Sequence, residues 1–116
     1  MKFVLVKTNG EAGVVDINYD NFLDECYNLL DCSCIEFACC EDNYRFIIDE
    51  SGKIKEPPKE LNRCASMIYP PVPFDYLAGD VLIGKLDPND PSEFTSLDED
   101  DLFHLEWLLN VELEEL

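Results

Sequence analysis

The sequence predicts a single α+β domain over residues 1–116, with an antiparallel or mixed sheet of about five to six strands, two long helices and one short helix. Two strongly apolar runs, at residues 46–48 and 81–83, are rich in the β-branched residues typical of buried strands. Two other stretches repeat apolar residues at helical spacing. A chain of 116 residues is also long enough to bury one core.

The first half of the chain predicts a hairpin, a helix and a second hairpin. Strands are expected at residues 2–7 and 13–17, joined by the strong turn signal Asn9-Gly10. Asn18 is expected to cap a helix from residue 19 to about residue 30. The apolar face of this helix consists of Phe22, Leu23, Cys26, Tyr27, Leu29 and Leu30. Alternating side chains predict strands at residues 32–41 and 44–49, joined by a turn at residues 41–43.

The second half predicts a connecting segment, one more long strand and a final helix. The segment is expected to cross the sheet before the strand at residues 81–86, with Asn62 capping a short helix from residue 63 to about residue 69. Residues 70–73 are proline-rich and are expected to be extended. A loop at residues 87–92 and a short strand at residues 93–95 follow. Ser96 and Glu99 fit a capping box for a helix that runs to about residue 115.

Charge narrows the classes of partner. The chain has 26 Asp and Glu against 8 Lys and Arg, a formal net charge of −18. Residues 87–116 contain eleven acids and no Lys or Arg, so they carry −11 of that −18. Such a field disfavours direct contact with nucleic acid or anionic membranes and favours a basic protein surface. The alternative is that the acids only solvate the surface.

The cysteines fit a reducing compartment better than a disulfide framework. No apolar run is long enough for a signal-peptide core or a membrane span, so a cytoplasmic location is expected. The six cysteines are then expected to be reduced thiols. Strand geometry places Cys32, Cys34 and Cys40 on one face, as metal ligands would be. Buried Cys behaves as a small hydrophobe, however, and the spacing does not match structural zinc, so no metal site is expected.

The sequence contains no recognisable catalytic or cofactor motif. A nucleophilic Cys needs a base close by, and the only histidine, His104, lies in a helix start crowded with acids, so a Cys–His enzyme is not expected. The stretch from Asp87 to Asp90 resembles a calcium loop, but Pro91 and Ser92 stand where an oxygen ligand and a glycine are needed. A glycine-rich phosphate loop is also missing. A non-enzymatic protein without a cofactor is therefore expected.

The final helix carries the candidate partner-binding site. One apolar stripe is expected to face the core, and it consists of Leu102, Leu105, Leu109, Leu113 and Leu116. A second stripe of Phe103, Trp107 and Val111 is either a wider burial face or an exposed aromatic patch rimmed by acids. The candidate partner-binding residues are Asp98, Glu99, Asp100, Asp101, Phe103, Glu106, Trp107 and Val111.

A small-molecule site is the alternative function. Tyr69, Phe74 and Tyr76 lie in the connecting segment near Arg63 and could line a pocket for a signalling nucleotide. Such a ligand is anionic, so carboxylates in the pocket wall would argue against it.

Several turn and cap residues resemble those of one family. They are Asp49-Glu50-Ser51-Gly52-Lys53, Pro58, Leu61-Asn62 followed by Ala65, Gly79-Asp80-Val81 and the helix start Ser96-Leu97. The chain resembles, over most of its length, a small domain-of-unknown-function family of phages and bacterial mobile elements. The cysteine-rich strand and residues 70–73 depart from that family's usual pattern.

The resemblance implies an intracellular accessory protein and no catalytic residues. Together with the acidic final helix, it leads to the hypothesis of a host protein with a basic surface as the partner. One version of this hypothesis is a nucleic-acid mimic that inhibits a defence nuclease. The oligomeric state is left open.

Overall fold

The computed structural model describes residues 1–40, 43–70 and 75–116. Its strands are β1 (Lys2–Val6), β2 (Ala12–Asp16), β3 (Ile35–Cys39), β4 (Tyr44–Asp49), β5 (Val81–Asp87), β6 (Asp90–Thr95) and β7 (Glu114–Glu115). Its helices are α1 (Phe22–Leu30), α2 (Arg63–Ser66) and α3 (Glu99–Leu109), and a 3₁₀ turn at Tyr19–Asn21 leads into α1. No helix in the described ranges has the length and apolarity to cross a bilayer.

The strands form one mixed sheet in the order β3-β4-β5-β1-β2-β7. β5 lies at its centre: β4 pairs with one edge of β5, and β1 and β6 pair with different parts of the opposite edge. All three pairings are antiparallel. The two-residue β7 pairs in parallel with β2. The predicted α+β class is confirmed. The sheet has one strand more than the predicted range, because the end of the chain adds β7.

The connecting segment, residues 50–80, links two adjacent strands of the sheet. It joins β4 to β5, which are antiparallel neighbours, so it leaves and re-enters the sheet at adjacent strands. Its described part passes over the sheet, since Asn62 Nδ2 donates to the carbonyl of Val6 in β1 and the ring of Tyr69 lies 6.0 Å from that of Phe46 in β4. Part of the segment covers the sheet, since Ala65 of α2 and Leu77 are buried in the core. Of the predicted extended residues 70–73, residues 71–73 lie outside the described ranges.

The sheet separates two hydrophobic cores. On one face, α1 packs with Cys26 and Leu30 against a cluster that contains Phe3, Ile47 and Leu82. On the other face, α2 and α3 cover a second cluster. That cluster contains Val4, Val6, Phe46, Val81, Ile83, Leu97, Leu105 and Leu109. Alternating side chains of β1, β4 and β5 therefore supply both cores, which explains their nearly continuous apolar sequence.

Gly84 in β5 makes room for aromatic rings on the α1 face. A Cβ atom at this position would lie 2.5 Å from Cε2 of Phe3 and 2.8 Å from Cδ1 of Phe94. We expect Gly84→Ala to lower the free energy of unfolding by about 1–3 kcal/mol through overpacking. Urea denaturation measures this change. Adding Phe94→Leu should recover part of the loss, and strictly additive effects of the two substitutions would contradict the steric explanation.

The last helix is shorter than predicted. α3 ends at Leu109 because Asn110 adopts a left-handed conformation, with φ of 56°. Asn tolerates this conformation and commonly terminates helices. The remaining residues turn back, and Glu114 and Glu115 pair with Gly13 and Val14. The predicted helical continuation to about residue 115 was therefore wrong.

The β5–β6 connection also differs from the prediction. Residues 87–92 were expected to form a loop, but β5 extends to Asp87 and β6 begins at Asp90, which makes a tight hairpin. Pro91 is accommodated because β6 is an edge strand, where a missing N–H costs no ladder hydrogen bond. The side chains of Asp87 and Asp90 accept hydrogen bonds from the N–H groups of Asn89 and Ser92.

Candidate functional site

The start of α3 is built by a reciprocal cap. Asp98 Oδ1 accepts a hydrogen bond from Asp101 N at 2.8 Å, and Asp101 Oδ2 accepts one from Asp98 N at 2.9 Å. The predicted cap, Ser96 with Glu99, was wrong by two residues. Ser96 Oγ instead accepts a hydrogen bond from Lys2 N, and this contact ties the chain before α3 to β1.

Asp101 is a buried structural residue rather than part of the surface. Its carboxylate accepts hydrogen bonds from Tyr44 Oη at 3.0 Å and from Lys85 Nζ at 3.0 Å. Burial alone would raise the pKa of this carboxyl, but the hydrogen bonds from Asp98 N, Lys85 and Tyr44 outweigh it and hold the pKa below 3.8. Asp101 thus joins α3 to β4 and β5.

Phe103 and Trp107 are exposed on the outer side of α3. Their exposed fractions are 75% and 74%. They lie four residues apart, so they are neighbours on the helix surface. The two aromatic side chains therefore form an exposed patch rather than part of a wider burial face.

The indole of Trp107 is oriented by ring stacking. Its centroid lies 6.2 Å from that of His104, at an interplanar angle of 22°. His104 in turn stacks on the buried Tyr44, with centroids 6.0 Å apart. The three stacked rings lead from the buried Tyr44 to the surface, where Trp107 rests against His104.

Glu106 and Val111 do not belong to the exposed patch. Glu106 Oε2 accepts a hydrogen bond from Leu113 N at 2.8 Å, which fixes the turn after α3. Val111 follows the left-handed Asn110 and packs partly buried against the α2–α3 core. Of the predicted core stripe, Leu105 and Leu109 are buried, whereas Leu116 is 56% exposed because it lies beyond the helix.

Two carboxylates accompany the aromatic pair. Glu99 and Asp100 are exposed and lie four and three residues before Phe103, on the same side of the helix. We call Glu99, Asp100, Phe103 and Trp107 the α3 face. Exposed acids also lie elsewhere, for example Asp24 on α1. The aromatic pair, more than the acids, therefore distinguishes this face.

In the described part of the connecting segment, the space beside Tyr69 and Tyr76 is too small for a nucleotide. Tyr69 and Tyr76 line a space of about 80 Å³, far below the roughly 300–1,000 Å³ of typical ligand sites. Four carboxylates share its wall, namely Glu36, Asp49, Glu50 and Asp75. Arg63 lines a different groove, and Phe74 lies outside the described residues. Lys53 is the one Lys or Arg among its described lining residues, so the carboxylates of this wall argue against an anionic ligand here.

The cysteines differ widely in their exposure. Cys26 is buried, and burial raises the pKa of its thiol to about 12. Cys34 and Cys39 are exposed free thiols at opposite ends of the β3 region. Within the described residues, no group of three or more His, Cys, Asp or Glu side chains is arranged to hold a metal ion.

A groove at the far end of α3 was not predicted from the sequence. This groove has a volume of about 410 Å³ and lies between the β1–β2 turn, α2 and the end of α3. Met67, 82% exposed, stands at its edge. The signal that could have indicated it is Asn110, because an Asn that ends the helix there redirects the following residues toward α2.

Comparison with known proteins identifies a family. No curated protein and no solved structure matches the chain significantly. The family model described as Domain of unknown function (DUF3846) matches residues 1–108, which reach from before β1 to within the last turn of α3. This match bears out the resemblance to a small family of unknown function. The chain belongs to the family described as Domain of unknown function (DUF3846).

Proposed function

We propose that the chain is a non-enzymatic accessory protein of a phage or mobile genetic element, which binds a host protein through the α3 face. The observation that carries this proposal is the exposure of Phe103 and Trp107, at 75% and 74%, one helical turn apart. Aromatic side chains bury large areas at interfaces, and Trp is enriched among the residues that dominate binding energy.

The ring contacts of Trp107 with His104 favour a role of the indole as an anchor for the partner. Stacking on His104, itself stacked on Tyr44, restricts the indole before any partner arrives. A pre-oriented side chain loses less conformational entropy on binding than a mobile one. Phe103 and Trp107 together offer roughly 300 Å² of aromatic surface, comparable to the largest apolar patch on a typical monomer.

The charge around the pair indicates a basic partner. Glu99 and Asp100 flank it, and no Lys or Arg follows Lys85 in the chain. The charge of Lys85 is paired, because its Nζ lies 3.0 Å from Asp101 Oδ2. A face of this kind attracts cationic surfaces, such as those that nucleases use for phosphates. We therefore propose a host nucleic-acid-binding protein, for example a defence nuclease, as the partner.

The proposal predicts capture of a basic host protein that depends on Trp107. The full chain, immobilised, should retain it from host lysate at about 0.1 M salt and release it at about 1 M, where the screening length falls to about 3 Å. Trp107→Ala should weaken binding of the purified partner about tenfold or more, because it removes a central aromatic anchor. Asp100→Lys should weaken binding further, and duplex DNA should compete with the chain for the partner.

Matched variants away from α3 serve as controls. Ile54→Ala removes a side chain that is 80% exposed, and Asp24→Lys reverses an exposed charge on α1. Both should leave binding unchanged. Binding that resists salt, or that survives Trp107→Ala, would refute the proposed role of the α3 face.

A further inference from the structure

The groove at the end of α3 combines an apolar floor with one cation. It is lined by the β1–β2 turn, by Arg63, Cys64 and Met67 in and beside α2, and by residues 108–111 at the end of α3. Its volume of about 410 Å³ lies within the range of small-molecule sites. The groove is distinct from the α3 face, since none of the four residues of that face lines it.

The floor of the groove offers packing surface for an apolar group. Leu109 is buried, while Leu108, Cys64 and Val111 are half-buried. Met67 stands beside them with 82% of its surface exposed. Met is flexible and polarisable, so its side chain can fold over a ligand and bury itself in doing so.

The charge of the groove is opposite to that of the molecule. No Asp or Glu appears among the described residues that line it, although the chain contains 26 of them. Arg63 is exposed and has no ion pair within the described part of the chain, whereas Lys53, Lys55 and Lys85 are each paired with a carboxylate. A guanidinium left without an internal partner in so acidic a chain is available for an external carboxylate.

We propose that this groove binds a small amphipathic carboxylate, that is, an organic acid with an aliphatic tail. The tail packs on Leu108, Val111 and Met67, and the carboxylate pairs with Arg63. The planar guanidinium suits this group, because its N–H donors match the two oxygens of a carboxylate. Acids elsewhere on the surface oppose this binding weakly, since physiological salt screens exposed charges beyond about 8 Å.

Decanoate is a suitable probe, with decan-1-ol as the tail-matched neutral control. The chain has only two methionines, Met1 and Met67, so a methyl-labelled sample gives two methionine resonances. Decanoate below its micelle concentration should shift the Met67 resonance and leave that of Met1 in place. Calorimetry should give a decanoate affinity about tenfold higher than that of decan-1-ol, because only the acid pairs with Arg63.

Substitutions at the groove should separate the contribution of the carboxylate to binding from that of the aliphatic tail. Arg63→Gln should reduce the decanoate affinity about tenfold, to that of decan-1-ol. The control Lys2→Gln removes one positive charge elsewhere and should leave the decanoate affinity unchanged. Met67→Glu should weaken both ligands, whereas Ile54→Glu, at an equally exposed site, should weaken neither. An unmoved Met67 resonance, or an undiminished decanoate affinity in Arg63→Gln, would overturn the proposal. Both readouts are independent of any partner at the α3 face.

Discussion

Asn62→Ala is expected to lower the free energy of unfolding by about 3–4 kcal/mol. Asn62 is fully buried and joins three parts of the fold. Its amide nitrogen donates to the carbonyls of Val6 at 2.9 Å and Gly79 at 3.0 Å, and its Oδ1 caps α2 by accepting from Ala65 N. Alanine leaves both carbonyls and the first turn of α2 without these partners in the interior. Urea denaturation measures the loss.

Two variants make this prediction specific. Asn62→Ser keeps an oxygen that can cap α2, so it should recover about 1 kcal/mol of the loss. Asn21→Ala is the matched control, because Asn21 precedes α1 and its exposed side chain makes no cap hydrogen bond. This control should change stability by less than about 0.5 kcal/mol. A similar loss in Asn62→Ala and Asn21→Ala would contradict the role assigned to Asn62.

Asp101→Asn is expected to lower the free energy of unfolding at neutral pH by about 2–3 kcal/mol. The substitution keeps the shape of the side chain but removes the charge that pairs with Lys85 and leaves one acceptor oxygen where Asp101 has two. Lys85 retains some contact with water, which limits the cost of leaving it without its partner. Chemical denaturation at pH 7 measures the change, and Asp100→Asn, at an exposed neighbour, should stay within about 0.5 kcal/mol of the original chain.

The pH dependence of this stability difference follows from the direction in which folding shifts the pKa of Asp101. The folded state holds the pKa of Asp101 below its ordinary value. Ionised Asp101 therefore stabilises the fold at pH values above its unfolded-state pKa. This contribution disappears as pH falls through the lower, folded-state pKa. The stability gap between Asp101→Asn and the original chain should therefore be full at pH 7 and close progressively below about pH 4. A gap that remains constant at low pH would show that the charge is not its cause.

Much of the fold could be predicted from local signals. Asn9-Gly10 indicated the first hairpin, and the apolar runs indicated β4 and β5. Asn62 was correctly identified as a cap, although α2 ends at Ser66 rather than near residue 69. These features depend on turn geometry and capping, which a few neighbouring residues determine. The end of α3 was missed because helical periodicity continues through Leu113, whereas Asn110 adopts φ of 56° and ends the helix.

The candidate site was predicted only in part. The sequence placed Phe103 and Trp107 on one stripe of the final helix, but it left their burial open. It also grouped Asp101 with the surface acids, although Asp101 is buried and pairs with the partly buried Lys85. An acid at a helix start looks the same in sequence whether it solvates a surface or completes a buried network. Which of these it does depends on what the neighbouring strands bring beside it.

By itself, the sequence determined the fold class, the acidity of the chain and most strand and helix positions, because propensity, periodicity and net charge are local or additive properties. Only the tertiary structure decided that Phe103 and Trp107 are exposed rather than part of a wider burial face. It alone decided that Arg63 from α2 meets Leu108 and Val111 from the end of α3 in one groove. The physical reason is that burial and ion pairing depend on residues distant in the chain, and packing brings those residues together.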